Sequence, residues 1–327
     1  MSLFKTLTGE SWQRAIHMGR TDPNLVRIAI EAARAKLLAP MNTILILQSS
    51  SSTAPNWVRE CMNTVQLWAA RNSYDYVHVG DELFQYTAEY AAPFTKIQIS
   101  DLARIRLMKA HLFNHRYTAV YWLDADFLIW NIYEFKLPLP VPGSVVLPME
   151  AFKIHRDYII QLNNSVLGFC DYKDAAVLET LTKAALDKWK DGVITPAHIV
   201  AGPAVVSKFR FPLRRIIAKQ AGCFSETTTR QILGPWHAGR EYLRQLSMAH
   251  GATLKGANLC SSRNISEDVM EDLIADLIQG YDHEIGQWAH LSAIYRIWLR
   301  MRIFPFRVKC WLQTRIERIR KTLIVAS

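Results

Sequence analysis

The run Tyr117-Thr-Ala-Val-Tyr-Trp-Leu-Asp-Ala-Asp-Phe-Leu-Ile-Trp-Asn131 decides the fold. It is β-branched and aromatic, and its only charges are Asp124 and Asp126. An apolar run of this length reads as a central strand covered on both faces. Carboxylates are seldom buried without a partner. The pattern therefore predicts a strand that delivers Asp124 and Asp126 to its carboxyl edge. Residues i and i+2 of an extended chain point to the same side. Both carboxylates can then reach one cation, or two oxygens of one ligand, and the small Ala125 between them leaves room.

Working upstream, Asn42-Thr-Ile-Leu-Ile-Leu-Gln48 has the pattern of a buried strand, and Ser49 to Thr53 form a polar loop at its carboxyl end. A helix follows over 56–71, with Val58, Cys61, Met62, Val65, Trp68 and Ala69 on one stripe. Tyr74 to Val79 reads as a short strand. Strand, helix, strand makes a βαβ unit and hence a parallel sheet. Residues 82–97 read as a loop or a short helical excursion. Ser100 then caps a helix running to about Asn114, which leads into the opening run. The two aspartates thus follow the third main strand of a doubly wound domain, at the edge where open α/β sheets bind ligands.

Downstream, Ser144 to Leu147 reads as a strand. Tyr158 to Phe169 reads as another, interrupted at Asn163-Asn164-Ser165. An amphipathic helix covers 174–190, and Gly202-Pro203 opens a short one. Residues 222–262 read as loops with one helix near 240–250, and 266–277 as helix. The expected class is α/β, with a mostly parallel, Rossmann-like sheet flanked by helices. The chain divides into a helical N-terminal extension at 1–40, which Asp22-Pro23 helps start, a body at 41–290 and a basic tail at 291–327.

Half of the 327 residues are hydrophobic, enough for a large core. No apolar run approaches the roughly 18–20 residues of a membrane-spanning helix. The first residues lack the apolar core and cleavage site of a secretory signal. The five cysteines, Cys61, Cys170, Cys223, Cys260 and Cys310, form no Cys-x-x-Cys pair. Reduced thiols in a cytoplasmic setting are expected, without a structural zinc site. The net charge of +10 is concentrated in the tail, where nine Arg and Lys stand against Glu317 alone. There Val308, Trp311, Leu312, Ile316, Ile319 and Leu323 recur at helical spacing among the basic residues. A basic amphipathic helix carrying Trp suits an anionic membrane surface. No module for nucleic-acid binding accompanies the charge, and no nucleic-acid partner is expected.

Asp-x-Asp at a strand end has two chemical uses. It clamps a divalent metal onto a nucleotide diphosphate, because hard Mg²⁺ or Mn²⁺ takes carboxylate and phosphate oxygens. It also serves as the nucleophile and acid of aspartyl phosphatases, whose motif stands near the start of its domain. Here two α/β units precede it. Ser100-Asp-Leu-Ala-Arg104 opens the preceding helix, and Asp101 and Arg104, three apart, share a helical face. An Asp accepts sugar hydroxyls, and an Arg binds hydroxyls or phosphate bidentately.

The ordered set is the Ile-Leu-Ile-Leu-Gln48 strand, Trp68-Ala-Ala-Arg-Asn72, Tyr74-Asp-Tyr76, Ser100-Asp-x-x-Arg104, Tyr121-Trp-Leu-Asp-Ala-Asp126, Asn163-Asn-Ser-Val-Leu-Gly-Phe169 and Gly202-Pro203. This set resembles the DXD-containing glycosyltransferases of the GT-A fold, and within them family 32 and the transferases of capsular polysaccharide biosynthesis. The resemblance covers roughly 43–210. It implies that Asp124 and Asp126 hold Mn²⁺ or Mg²⁺ on a nucleotide-sugar, most simply a UDP-sugar. It places Gln48, Ser49, Ser50 and Ala125 near the nucleotide, Asp101 and Arg104 on the donor sugar, and Asn163 and Asn164 facing the donor sugar or the acceptor. It gives 41–290 as the catalytic domain and implies transfer with retention. A third metal ligand in such enzymes comes from near the C-terminus, and His283 in Gly280-Tyr-Asp-His-Glu-Ile-Gly-Gln-Trp288 is the first choice, His237 the second. The acceptor would be a glycan or glycolipid at the cytoplasmic face of a membrane, reached by a peripheral protein through its basic tail. The chain departs from the family in reading His115 to Val120 where relatives carry a Gly-Gly-x-Tyr turn. The competing classes are an Asp-based phosphatase, a sugar nucleotidyltransferase, whose Gly-rich loop is replaced here by Ser49 to Thr53, and a non-enzymatic protein that binds membranes or polyanions.

Overall fold

The computed structural model describes residues 43–90, 94–154, 157–190, 205–207, 211–224, 228–229, 232, 236–259 and 265–278. The N-terminal extension, Gly202-Pro203, His283 and the basic tail lie outside them.

The apolar segments at the amino end build a parallel three-strand unit. β1 (Ile44–Ser49) leads to α1 (Asn56–Arg71) and β2 (Asp75–Val79). A 3₁₀ segment (Asp81–Tyr90) and α2 (Lys96–Phe113) follow, then β3 (Ala119–Leu123). The side chain of Asn72 donates to the Trp68 carbonyl at the end of α1, and Ser73 turns left-handed (φ 57°), stopping the helix one residue further on. β1 pairs in parallel with both β2 and β3, so their carboxyl ends share one edge of the sheet.

β4 (Phe127–Ile129), β5 (Ser144–Leu147), the hairpin β6 (Met149–Ile154) and β7 (Asp157–Leu162), β8 (Val166–Phe169) and α3 (Tyr172–Lys190) follow. β9 (Arg214–Ile217), β10 (Ala221–Cys223), α4 (Trp236–His250), β11 (Gly256–Asn258) and α5 (Glu267–Asp276) complete the described elements. The main sheet runs β2-β1-β3-β8-β5-β9, antiparallel only where β8 meets β3 and β5.

Strand alternation assigns the two faces. Ile44 and Ile46 of β1 and Ala119, Tyr121 and Leu123 of β3 pack with Val65, Trp68 and Ala69 of α1. Leu45, Leu47, Val120 and Trp122 pack on the other face with Ala103, Ile105 and Met108 of α2 and Leu178 of α3. This is a three-layer α/β/α body with a mostly parallel sheet, as the hydrophobic pattern predicts. Among the described residues no helix is long and apolar enough to cross a membrane. Cys61, Cys170 and Cys223 are free thiols.

One expectation holds and one needs correction. The two aspartates stand at the carboxyl edge of the third strand, and the rest of the run forms a strand of its own. β3 ends at Leu123, the Phe127 amide donates to the Asp124 carbonyl (3.0 Å), and this tight turn hands the chain to β4. β4 belongs to a separate three-stranded sheet ordered β10-β11-β4. α2, however, starts four residues before Ser100. The Ile99 amide donates to the Thr95 carbonyl, so Thr95 stands at the helix entry and Asp101 sits inside the helix, beyond the reach of the N-terminal dipole.

The small sheet closes on Gly256. A Cβ there would lie 2.9 Å from both the Leu128 carbonyl oxygen and the Phe127 ring. Because β11 is held to β4 at this residue (Gly256 opposite Ile129), the strand has no direction in which to yield. Gly256→Ala is expected to cost about 1–3 kcal/mol, the usual penalty of overpacking. Urea unfolding monitored by tryptophan fluorescence checks this, and an unchanged midpoint contradicts it.

Candidate active site

The turn that links the two sheets sets the two carboxylates. Asp124 follows Trp122 by two residues, and alternation turns it toward the α2 face, where Arg104 waits. Arg104 Nη1 donates to Asp124 Oδ1 at 2.6 Å, and Nη2 pairs with Asp101 Oδ1 three residues earlier in the helix. Trp122 Nε1 donates to the same Asp124 oxygen at 2.8 Å. Asn164 Nδ2 donates to Asp101 Oδ1 at 2.9 Å. Asp101 and Arg104 are each only 4% exposed, so the pair is a buried brace and not a surface ion pair. Arg104 addresses two carboxylates at once with its planar fork.

Backbone contacts hold the turn from both sides. The Asp124 amide donates to the Ser165 carbonyl at 2.9 Å, and Gln48 Nε2 donates to the Asp124 carbonyl at 2.9 Å. The Leu259 amide donates to the Asp126 carbonyl at 3.0 Å. Asn258 reaches in from β11. Its Nδ2 lies 2.9 Å from Asp126 Oδ1 and 3.1 Å from Asp124 Oδ2.

The electrostatics follow from these neighbours. One guanidinium pairs with both Asp101 and Asp124, and Asp126 stands beside them held by Asn258. Among the described residues no cation forms an ion pair with Asp126. Burial first, and then the charge of Asp124, push the Asp126 carboxyl up to about 7. Burial also raises Asp124, against the opposing pull of Arg104. Burial, with Asp126 next in weight, raises the neighbouring Cys61 thiol well above its ordinary range. The Asp124 side chain keeps 29% exposure, so the cluster opens to solvent on one side.

The residues singled out from sequence take different positions around this cluster. Asp101, Arg104, Asp124, Asp126 and Asn164 meet directly. Gln48 is fully buried, with Tyr76 donating to its Oε1 (3.0 Å), so it supports the Asp124 backbone from below. Ser49 and Ser50 stand at the same sheet edge. Ser49 Oγ donates to the Gly80 carbonyl at 3.5 Å, and Ser50 Oγ lies 3.0 Å from His78 Nε2. Ala125 is half-buried and packs against the cluster formed by α1, β4 and α5. Asn163 turns toward the hairpin, donating to Glu150 Oε2 at 3.3 Å while its Oδ1 accepts the Ser165 amide. His237 lies within α4, whose described side chains exclude it.

Sequence reasoning missed Asn258. It ends a three-residue strand whose partner lies about 130 residues away, and no periodicity marks so short an element. Among the described residues no group of three or more His, Cys, Asp or Glu side chains could hold a metal. The donor set is instead two carboxylates and a carboxamide, all hard oxygen chemistry suited to Mg²⁺ or Mn²⁺. Two observations fit such a cation, the uncompensated negative charge and an orphaned Asn258 Oδ1 buried beside it.

No protein-family model matches the chain, and no curated protein matches it in sequence. Its structure is similar to that of a glycosyltransferase involved in glycosylation of the major capsid of PBCV-1. The identity is 13% and the TM-score 0.44, over 70% of this chain and 99% of that one. It is also similar to the galactosyltransferase LgtC, solved with donor and acceptor sugar analogues. Here the identity is 13% and the TM-score 0.38, over 74% of this chain and 99% of that one. Both likenesses are remote, and the case for what the site does rests on its own residues.

Proposed function

We propose that this chain is a metal-dependent glycosyltransferase of GT-A type, moving a sugar from a nucleotide-sugar to a glycan or glycolipid. The observation that carries the reading is the carboxylate cluster at the carboxyl edge of the sheet. Two carboxylates pair with one arginine there, and Asp126 is left short of positive charge. Asp124 and Asp126 would hold Mn²⁺ or Mg²⁺, which when bound supplies positive charge against the departing diphosphate.

The chain's own groups do the rest. Arg104 fixes the rotamer of Asp124 and opposes the rise that burial imposes on its carboxyl. Asp101 and Asn164 fix Arg104 in turn. Ser49 and Ser50 place hydroxyls along the edge where a nucleotide would lie, each resting on a residue in or just beyond β2, Gly80 for Ser49 and His78 for Ser50. Asn163 and Glu150, joined to each other beside the cluster, are placed for sugar hydroxyls. The UDP form of the donor and transfer with retention are supported by the family resemblance of the motifs. A cytoplasmic, membrane-facing acceptor is supported by the basic amphipathic pattern of 292–327.

The test is a panel of nucleotide-sugars with Mn²⁺, against the same panel with EDTA. Metal-dependent release of nucleoside diphosphate from one donor is expected. No release from any donor, or release of inorganic phosphate from simple monoesters, overturns the reading.

Removing 292–327 is expected to weaken binding to vesicles containing anionic lipid at least tenfold, since each basic residue near such a surface contributes about 1 kcal/mol. Co-sedimentation measures it. Equal binding by both chains removes the membrane part of the proposal and leaves the chemistry standing.

A further inference from the structure

Asn258 is held between two carboxylates by one end of its amide, while the other end has no partner. Its Nδ2 bridges Asp126 Oδ1 at 2.9 Å and Asp124 Oδ2 at 3.1 Å. The residue is 1% exposed, and its Oδ1 is buried without a hydrogen bond. Such orphaned acceptors are uncommon and call for an explanation. The backbone leaves little freedom to move away. The Asn258 carbonyl accepts the Phe224 amide at 2.8 Å, and the next residue, Leu259, donates to Asp126. The side chain is therefore fixed in place and free only to rotate about its terminal bond, where the torsional profile is broad and two-fold.

We propose that Asn258 is the third protein oxygen on the divalent cation held by Asp124 and Asp126. This deepens the metal-dependent reading above and rests on it. The NH₂ group stands between the carboxylates, its hydrogens supplying positive charge there. A half-turn of the amide exchanges Nδ2 for Oδ1 at the same point. Three hard oxygens then face one another, and the orphaned atom has its partner.

The experiment uses the full chain, stripped with EDTA and titrated with Mn²⁺ by calorimetry, with and without UDP. Asn258→Ala is expected to weaken Mn²⁺ binding about 10–100-fold, the loss typical when a metal site is deprived of a supporting group. Asn258→Cys tests contact directly. A thiolate at this position binds the soft ion Cd²⁺ and gives an ultraviolet charge-transfer band that wild type with Cd²⁺ lacks, the native Cys61 included. Thermal melts of the stripped variants check that each is folded, and the Cd²⁺ band decides the matter if Asn258→Ala does not fold. If wild type binds Mn²⁺ and both variants behave like it, Asn258 is no ligand and the metal reading survives. If wild type binds no divalent cation, the functional reading itself falls.

Discussion

Asp126→Asn is expected to abolish cation-dependent turnover while making the cation-free protein more stable. Both effects have one cause. The fold holds the Asp126 carboxyl in a half-buried place beside Asp124, and pushes it up to about 7 from the ordinary value. An acid whose folded value exceeds its unfolded one binds more protons in the native state between the two values. Stability from this group therefore falls as pH rises from about 4 to about 7, and stays low above that. An amide has no such penalty. The variant should match wild type near pH 4 and exceed it by about 1–3 kcal/mol at pH 8, since each tenfold change in proton affinity is worth about 1.4 kcal/mol and the site's remaining exposure screens part of it. Denaturant unfolding of EDTA-treated protein at both pH values measures this. Under the proposed function the same substitution removes a charged oxygen ligand, so diphosphate release should fall by at least a thousandfold, on the scale of losing a principal group stabilising transition-state charge. A variant that is inactive but not stabilised at pH 8 would show that Asp126 ionises without strain. The charge-deficit account would then be wrong.

Arg104→Met should destabilise the protein more than any other single change at this site. The residue is 4% exposed, and its guanidinium serves Asp101 and Asp124 together. Removing one partner of a buried ion pair leaves uncompensated charge and costs about 3–5 kcal/mol. In a chain of this size that lowers the melting temperature by roughly 4–8 °C. Arg104→Lys keeps the charge but has a single ammonium, which cannot span two carboxylates as the Nη1 and Nη2 groups do. Its loss should be intermediate. If Arg104→Met melts within about 2 °C of wild type at pH 7.5, the brace is not structural, since a loss of about 3 kcal/mol would exceed that.

The legible parts of this fold were those with long, one-sided patterns. Helix α1 lies over Asn56–Arg71, where its apolar stripe placed it, and β5 occupies Ser144–Leu147. Asp101 and Arg104 were readable as a pair because three-residue spacing on a helix fixes their proximity. Their burial was not, because it depends on α2 packing against the sheet. Ser100 looked like a cap since its side chain suits one, yet tertiary contacts from Phe94 and Ile99 carry the helix further back. The strand end at Asp124 was legible from its two carboxylates, whereas the separate strand after them was not, because its partner is the distant β11. Ala221–Cys223 and Gly256–Asn258 are too short for periodicity and too far apart in sequence for a turn to join them. The third polar group of the site lies on one of them.

The Asp124–Asp126 turn has a consequence beyond the positions of its two side chains. Asp124 is tied to the large sheet through Ser165, Gln48 and Arg104, while Asp126 is tied to the small one through Leu259 and Asn258. The turn is thus a joint between two sheets that share one core, since Phe127 and Ile129 of β4 and Ala221 of β10 pack with Ile46 of β1 and Tyr121 of β3. A change that shifts the small sheet would be felt in the packing of the large one as well as in the spacing of the two carboxylates.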